Sequence, residues 1–461
     1  MKKEELMKRV AEAVRLIGIV PRIKRNTEGK SRPTTMALYD CCELVFRSSL
    51  KLESEQDELD FVLGCLPIRW RKVIKGESLK SFREHHVRWK KDPADRKKLV
   101  PDEVPFEFEG LRNGDVVAMS LGGSGDNFAY ALSRRAEEVG ALVLRCPPFK
   151  LNAYRDALVK ANEGDTGLDD SAVLVLMAKF RPADFYPVFV RERNLTWMRE
   201  CLRRRIDIMK ARIACEQRLH QRQVGMVFCN SEGKFPEGSI EKQFDLVKAS
   251  DAVLNTLLVE EAAANKALMK VCEVLPVFLE VFKQVTGIGP AIAARLISAI
   301  QDIRRFETKW QLRKFCGTHC EPDGSFARHK TGQVGGWNPD CRQALYLLGD
   351  QFNRRPGTFW GAKLRANKVF YRQAHPVPVE VEIGKGKKIK KYTDGHIHKM
   401  ALWKTIGEFV EWLFAEWWRL EKANEAGEVF TPSSSAVAFD SVDEPDEISP
   451  ENPASAGNEG E

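Results

Sequence analysis

The chain has eleven cysteines but no Cys-x-x-Cys pair anywhere in its 461 residues. Cys41 and Cys42 are adjacent, and Cys316, His319 and Cys320 make the nearest approach to a ligand cluster. Without a second pair at suitable spacing, they offer no zinc framework. The start, MKKEELMKRVAEAV, is a charged amphipathic helix that lacks the apolar core of a signal peptide. No uninterrupted apolar run approaches membrane-spanning length. SLGGSG at 120–125 lacks the lysine of a nucleotide-binding GxxxxGK[ST] loop. These absences point to a cytoplasmic protein with reduced thiols, no membrane partner and no P-loop chemistry.

Positive charge is present, and it is segregated. The formal net charge is +8, yet beyond Phe430 the tail TPSSSAVAFDSVDEPDEISPENPASAGNEGE holds eight acids and no Lys or Arg. The remainder therefore carries +16. A basic body with an acidic, Pro/Ser/Gly-rich end suggests a polyanion partner and a disordered tail that moderates nonspecific binding. Charge that serves only solubility is the plainer alternative.

The most informative stretch is VTGIGPAIAA at 285–294, after the apolar-periodic run LMKVCEVLPVFLEVFKQV and before RLISAIQDIRRF. Gly287 and Gly289 let the backbone turn tightly between two helices, and Pro290 suits the first turn of the second. The free amides of that helix start can face a phosphate, which is a helix-hairpin-helix reading; a tight corner without ligand is its alternative.

In chain order, residues 1–100 read as a mainly helical, basic region of unclear assignment. LYDCCELVFRSSLKLESEQDELDFVLGCL suggests one or two helices around an acidic bend. Trp70 and Trp89 interleave with Arg69, Arg71, Lys72, Arg88, Lys90 and Lys91, which suits phosphate contacts with base stacking as well as an amphipathic helix with a solvated basic face. Residues 101–187 form an α/β unit that could begin earlier: strand at 115–123, helix closed by Gly140, strand at 141–145, then the helix LDDSAVLVLMAKF from Leu168. Residues 188–280 hold two long helical segments separated by CNSEGKFPEGS, with Arg203, Arg204 and Arg205 near the start of the first. Residues 281–428 are mostly helical; Asn338–Pro339 opens one helix and Asp394 caps another. Leu402, Ile406, Phe409, Val410, Leu413 and Phe414 give the latter a core stripe, and KGKKIKK at 385–391 reads as a mobile, polyanion-facing segment. Residues 429–461 are the acidic tail.

Three segments carry a family resemblance. GIGPAIAARLISAIQDIRRFETKWQLRKFCG, WNPDCRQALYLLGDQF and DGHIHKMALWKTIGEFVEWLFAEWWR resemble the C-terminal transposase domain of the IS110/IS116/IS902 insertion-sequence family, in a GHIH-bearing branch. The resemblance spans roughly 165–420 and is most specific over 285–415. It implies a multidomain α/β plus α protein: a RuvC-like (RNase H-like) unit, a long antiparallel coiled-coil region, and a C-terminal domain with the helix-hairpin-helix. It also implies DNA recombination with magnesium, a structured bridge or guide RNA, and homodimers or homotetramers.

Such chemistry needs carboxylates converging on divalent metal beside a serine nucleophile. The family's glutamate position falls on Ser120. Its Lys-Thr-Asp-x-x-Asp-Ala motif falls on 165–171, where the first aspartate position is Gly167 and the second is Asp170. Asp170 and Ser325 are thus the candidate catalytic residues, and Asp165, Asp169 and Asp170 the candidate magnesium ligands. Unassigned acids at Asp40, Glu43, Asp57, Glu58 or Asp60 could complete the set. The basic residues named above, with Gly287, Gly289, Arg304, Arg305, Arg328, Lys330, Lys387, Lys388, His396 and His398, are the candidate nucleic-acid contacts. The expectation is a prokaryotic, nucleoid-associated protein that binds DNA or structured RNA with impaired recombination chemistry. An active magnesium-dependent, RNA-guided recombinase and a helical assembly scaffold are the alternatives.

Overall fold

The computed structural model describes residues 3–23, 31–92, 97–121, 125–161, 167–229, 231, 239–320, 327, 336–383 and 387–426. Helix α1 (Lys3–Ala11) leads into β1 (Arg15–Val20), the centre of a six-stranded mixed sheet. β1 pairs antiparallel with β2 (Thr34–Asp40), which pairs antiparallel with β3 (Val45–Leu52). On its other side β1 runs parallel to β7 (Asp115–Ser120), which runs parallel to β8 (Leu142–Cys146), and the short β9 (Tyr186–Pro187) closes that edge antiparallel. All six residues of β1 are buried, as an apolar run covered on both faces requires. Leu16 and Val20 pack towards α1, α4 (Pro148–Ala161) and α5 (Asp170–Phe180). Ile17 and Ile19 pack towards α2 (Glu55–Val62) and α3 (Asp126–Val139). A Cβ on Gly18 would lie 1.9 Å from the Ser171 carbonyl oxygen, so the absent side chain lets α5 rest directly on β1. The strand–helix–strand at β7–α3–β8 forms as the sequence predicts, and α3 ends on Gly140 at φ +79°.

The first hundred residues depart from the helical expectation. The stretch read as one or two helices is the β2–β3 hairpin, with Leu44 at φ +59° in its turn, followed by α2. The central sheet supplies the reason: pairing with β1 satisfies this backbone, whatever its local propensity. The α/β unit accordingly starts at β1, well before residue 101. The Trp/Arg-rich segment is likewise extended, and its alternation is the period of a strand. β4 (Leu66–Lys72), β5 (Arg88–Lys91) and β6 (Leu99–Glu109) form a separate sheet in the order β4-β6-β5. This sheet has little core of its own. Leu66, Val87 and Val104 are buried, whereas Ile74, Trp89, Leu99, Phe106 and Phe108 are exposed.

Helix α6 (Val190–Phe228) runs 39 residues. It is followed by α7 (Ile240–Ser250) and α8 (Ala252–Cys272), separated where Asp251 accepts a hydrogen bond from the Leu254 amide. The pairs Arg205–Asn265, Arg212–Glu261 and Gln223–Gln243 show the later segment running antiparallel to α6. The C-terminal core then gathers α9 (Pro290–Ile300), α10 (Lys309–Phe315), α11 (Pro339–Arg354), α12 (Phe359–Ala374) and α13 (Asp394–Ala426). Leu402, Ile406, Phe409, Val410 and Leu413 are buried there as their spacing predicts, Phe414 partly so, and Trp417 is core. Asn338 caps α11 by accepting from the Cys341 amide. Two expectations change. The Lys387–Lys391 segment is β11, paired with β10 (Val379–Ile383), because VEVEI and KKIKK alternate in register. The hydroxyl of Thr393, not Asp394, accepts from a first-turn amide of α13, and Asp394 pairs with Arg372. No helix among the described residues is long and apolar enough to cross a membrane.

Candidate nucleic-acid interface

Open α/β sheets present ligand sites at the carboxyl ends of their parallel strands. Here β1, β7 and β8 end in Val20, Ser120 and Cys146, none of which is ionised; burial pushes the Cys146 thiol up to about 12. Beside this edge lies Asp126, at the start of α3, in contact with Arg145 of β8. Gly125 packs so closely that a Cβ would lie 2.2 Å from Pro21 Cγ. Asp126 is buried, with Arg145 and Arg199 each 2.6 Å from one of its carboxylate oxygens. Arg304 pairs with Asp302 at 2.7 Å and with Glu192 at 3.3 Å beside them. Together with Arg305 and Gln301 these groups line a cavity of about 30 Å³, room for roughly one water molecule. Burial first, and then Arg145 and Arg199 nearby, hold the Arg305 guanidinium below its ordinary value. Four guanidiniums around three carboxylates make a cation-hostile edge.

Of the magnesium ligands implied by the resemblance, Asp169 and Asp170 have partners at the start of α5. Asp169 is the N-cap of α5, accepting from the Ser171 and Ala172 amides, and Asp170 pairs with Arg155 at 2.7 Å. Both carboxylates are engaged locally. Of the further acids, Asp40 accepts from the Cys42 and Glu43 amides, Glu43 pairs with Arg47, Asp57 closes a capping box with Ser54, and Glu58 accepts from Thr34 at 2.6 Å. Asp115 lies at the opposite end of the sheet in a two-point pair with Arg15. Among the described residues no three carboxylates converge, as a two-metal site would need. Asp165, Ser325, Arg328 and Lys330 lie outside the described residues, as does the side chain of Lys387.

The predicted basic contacts divide sharply. On the small sheet, β6 is acidic and lies between the two basic strands. Lys72 reaches Asp102 and Glu103, Lys90 reaches Asp102, Arg88 reaches Glu103, and Arg69 reaches Glu107. Arg71 pairs with Glu77, whose carboxyl is held down at about 2, first by that hydrogen bond. Arg88 also stacks on Trp70 at 3.8 Å, and Lys91 is exposed. This surface is a charge-neutralised ladder rather than a uniform basic face. On α6, Arg203 pairs with Glu200 and Arg204 with Glu260, both exposed, while buried Arg205 donates to Asn265. Arg304 is buried in the inter-element brace, not presented outward.

A more open arrangement surrounds the carboxyl end of α11. Gly287 adopts φ +94°, and a Cβ on it would press to 3.2 Å from Gln351 Cβ, so the glycine turn rests on α11 there. Gly289 is the N-cap of α9, with nothing within 4 Å of an added Cβ. Two residues on along α11, and about 200° around it from Gln351, Arg365 and Lys368 of α12 reach the backbone oxygen and side-chain oxygen of Asn353. His398 of α13 joins them. Burial, then Lys368 and Arg365, lower its pKa below the usual histidine value, against a smaller opposing effect of Asp350. Burial and then Arg365 also lower Lys368. Burial is the larger cause at both Lys368 and His398; the smaller contribution of neighbouring cations is the one a bound anion would relieve. Exposed Phe370, further along α12, has Lys404 of α13 over its ring at 4.0 Å, a mixture of charge and aromatic surface that suits a polynucleotide.

His398 was a sequence candidate; Arg365 and Lys368 were missed. Their signal was the three- and four-residue spacing of Arg365, Lys368 and Arg372 within α12. His396 plays a local part: its Nδ1 accepts from the Tyr392 amide at 2.9 Å, and the Tyr392 ring stacks between His375 and His396. Lys388 lies on β11, opposite Glu382 in register.

Residues 279–354 match the transposase IS116/IS110/IS902 family, a stretch that runs from the helical turn at Phe278–Phe282 through the glycine turn to the end of α11. No curated protein matches the chain.

Proposed function

From a chain whose residues 279–354 are of the transposase IS116/IS110/IS902 family, we propose a protein that binds duplex DNA or structured RNA and has lost strand-transfer chemistry. The observation that carries the reading is the pairing of Asp126 with Arg145 and Arg199 at the carboxyl edge of the sheet. An acid there that served magnesium would need other acids around it; guanidiniums oppose a cation at the same place. The strand order β3-β2-β1-β7-β8, with β1, β7 and β8 parallel and β2 reversed, supports a RuvC-like ancestry for the unit.

Binding falls to the C-terminal region. The Gly287–Gly289 turn, a helix-hairpin-helix in this reading, would offer α9 amides to one phosphate. Arg365, Lys368 and His398 would hold neighbouring ones. Antiparallel α6 and α8 carry exposed Met226, Phe228 and Val259, apolar surface consistent with a homodimer or homotetramer built through these helices. The test is recovery and sequencing of nucleic acid that copurifies with the full chain under gentle conditions. A discrete structured RNA or enriched DNA supports the proposal; preparations free of polynucleotide, with none retained on addition at moderate salt, oppose it.

A further inference from the structure

We propose that Asp60, Cys65 and His86, with His85 as fourth ligand, form a structural zinc site that fastens the small β4-β6-β5 sheet to the α/β unit. One ligand atom from each of the first three lies within 4.8 Å of the others. His86 Nε2 is 2.7 Å and His85 Nε2 3.0 Å from the same Asp60 oxygen, Oδ2. Cys65 Sγ is 3.6 Å from Oδ1. Around a tetrahedral zinc, metal–ligand bonds of about 2.0–2.3 Å place neighbouring donor atoms about 3.3–3.6 Å apart. The two His–Asp60 separations need to open by less than about 1 Å, and the Cys65–Asp60 separation, taken to the other carboxylate oxygen, is already at that spacing.

The donors are two imidazoles, a thiol and a carboxylate, the borderline-soft mixture that zinc takes in preference to magnesium or calcium. Two anionic and two neutral ligands also balance its charge, which matters because Asp60 is 1% and His86 4% exposed. Three short segments deliver them. Asp60 lies in the last turn of α2 beside core residue Phe61. Cys65 follows the turn at Gly64, φ +75°, and its amide donates to the Asp60 carbonyl. His85 and His86 lie in the helical turn Glu84–His86 just before β5.

The surroundings point the same way. Every residue of β5 is exposed, and the small sheet buries few apolar side chains. A unit this poor in core commonly relies on a metal crosslink. Arg83, 3.3 Å from Asp60 Oδ1 and partly exposed, can turn outwards. A divalent cation would place the thiolate beside a positive charge and ionise it on binding, releasing its proton to solvent.

The experiment uses the full chain, purified without chelator, supplied with zinc sulfate and dialysed. Elemental analysis should give about one zinc per chain. Cys65→Ser and His86→Ala should lower that to background, whereas Cys320→Ser should keep it. Since either site variant could also unfold the sheet, the wild-type chain is reconstituted separately with cobalt(II). A thiolate-to-cobalt charge-transfer band, displaced by zinc, is expected from the unaltered protein. Zinc removal by chelator should also lower the thermal midpoint. Wild-type protein that retains no zinc after dialysis and shows no cobalt–thiolate band would overturn the site, as would full zinc retention by Cys65→Ser.

Discussion

Arg199 on the long helix α6 donates to Asp126 at the start of α3 across 2.6 Å, with both side chains buried. The pair joins the helical arm to the edge of the sheet, and Arg145 holds the other carboxylate oxygen. Removing one partner of a buried pair typically costs about 3–5 kcal/mol, because the remaining charge is stranded. Arg199→Ala leaves Arg145 in place and should lose about 3 kcal/mol in a urea titration. Asp126→Asn strands two guanidiniums and should lose at least as much. A loss below about 1 kcal/mol in both would show that the brace is not structural.

Gly18 is fixed by sterics rather than by backbone conformation. Its missing Cβ makes room for the Ser171 carbonyl, so Gly18→Ala must push α5 away from β1. Overpacking of this kind costs about 1–3 kcal/mol or more, and thermal unfolding should show it. Gly289→Ala is the contrast: the space is open, and only a cap preference of under about 1 kcal/mol is at stake. If Gly289 lies against phosphate, this variant weakens polynucleotide binding while leaving the melting curve nearly unchanged.

Arg365 and Lys368 each hydrogen-bond to Asn353, an uncharged partner that leaves their positive charge available. Replacing both with Gln should weaken binding across DNA sequences alike. It should also reduce the slope of log K against log salt by about 2, one for each phosphate no longer neutralised. The same replacement at Lys72 and Lys90, which already pair with Asp102, should change the slope far less. Equal effects at the two places would return the small sheet to the interface.

His398 predicts a pH dependence with a definite sign. Its folded pKa lies below the unfolded value, so the unfolded chain takes up the proton first as pH falls. Stability from this group is complete above the ordinary histidine pKa of about 6.5 and declines as pH drops through the lower folded value. Bound polyanion favours the protonated form, so affinity should rise over the same interval. His398→Gln should flatten both trends when melting and binding are followed from pH 8 to 5.

How much of this was legible depended on where the physics is local. The β7–α3–β8 unit, the Asn338 cap and the α13 stripe carry periodicity and capping signals within a dozen residues, and each forms as expected. The β2–β3 hairpin was misread because partnership with β1, from outside the segment, decides its conformation. The acidic partners of Lys72, Arg88 and Lys90 come from β6, a strand that sequence spacing does not place beside them. Asp126 went unnoticed for a similar reason: Arg199 lies 73 residues away. Within the motif at 165–171, Asp169 acting as a helix cap is visible only in the fold.

The central claim is a retained grip without cutting. The most direct test incubates the full chain with duplex DNA and with structured RNA in magnesium at moderate salt. One half of each reaction is resolved on a native gel and the other under denaturing, protein-retaining conditions. The account predicts a shifted native band whose strands remain full length and free of covalent protein. Cleaved strands or a covalent protein–DNA adduct would contradict the loss of chemistry, and no native shift with either polymer would contradict the grip.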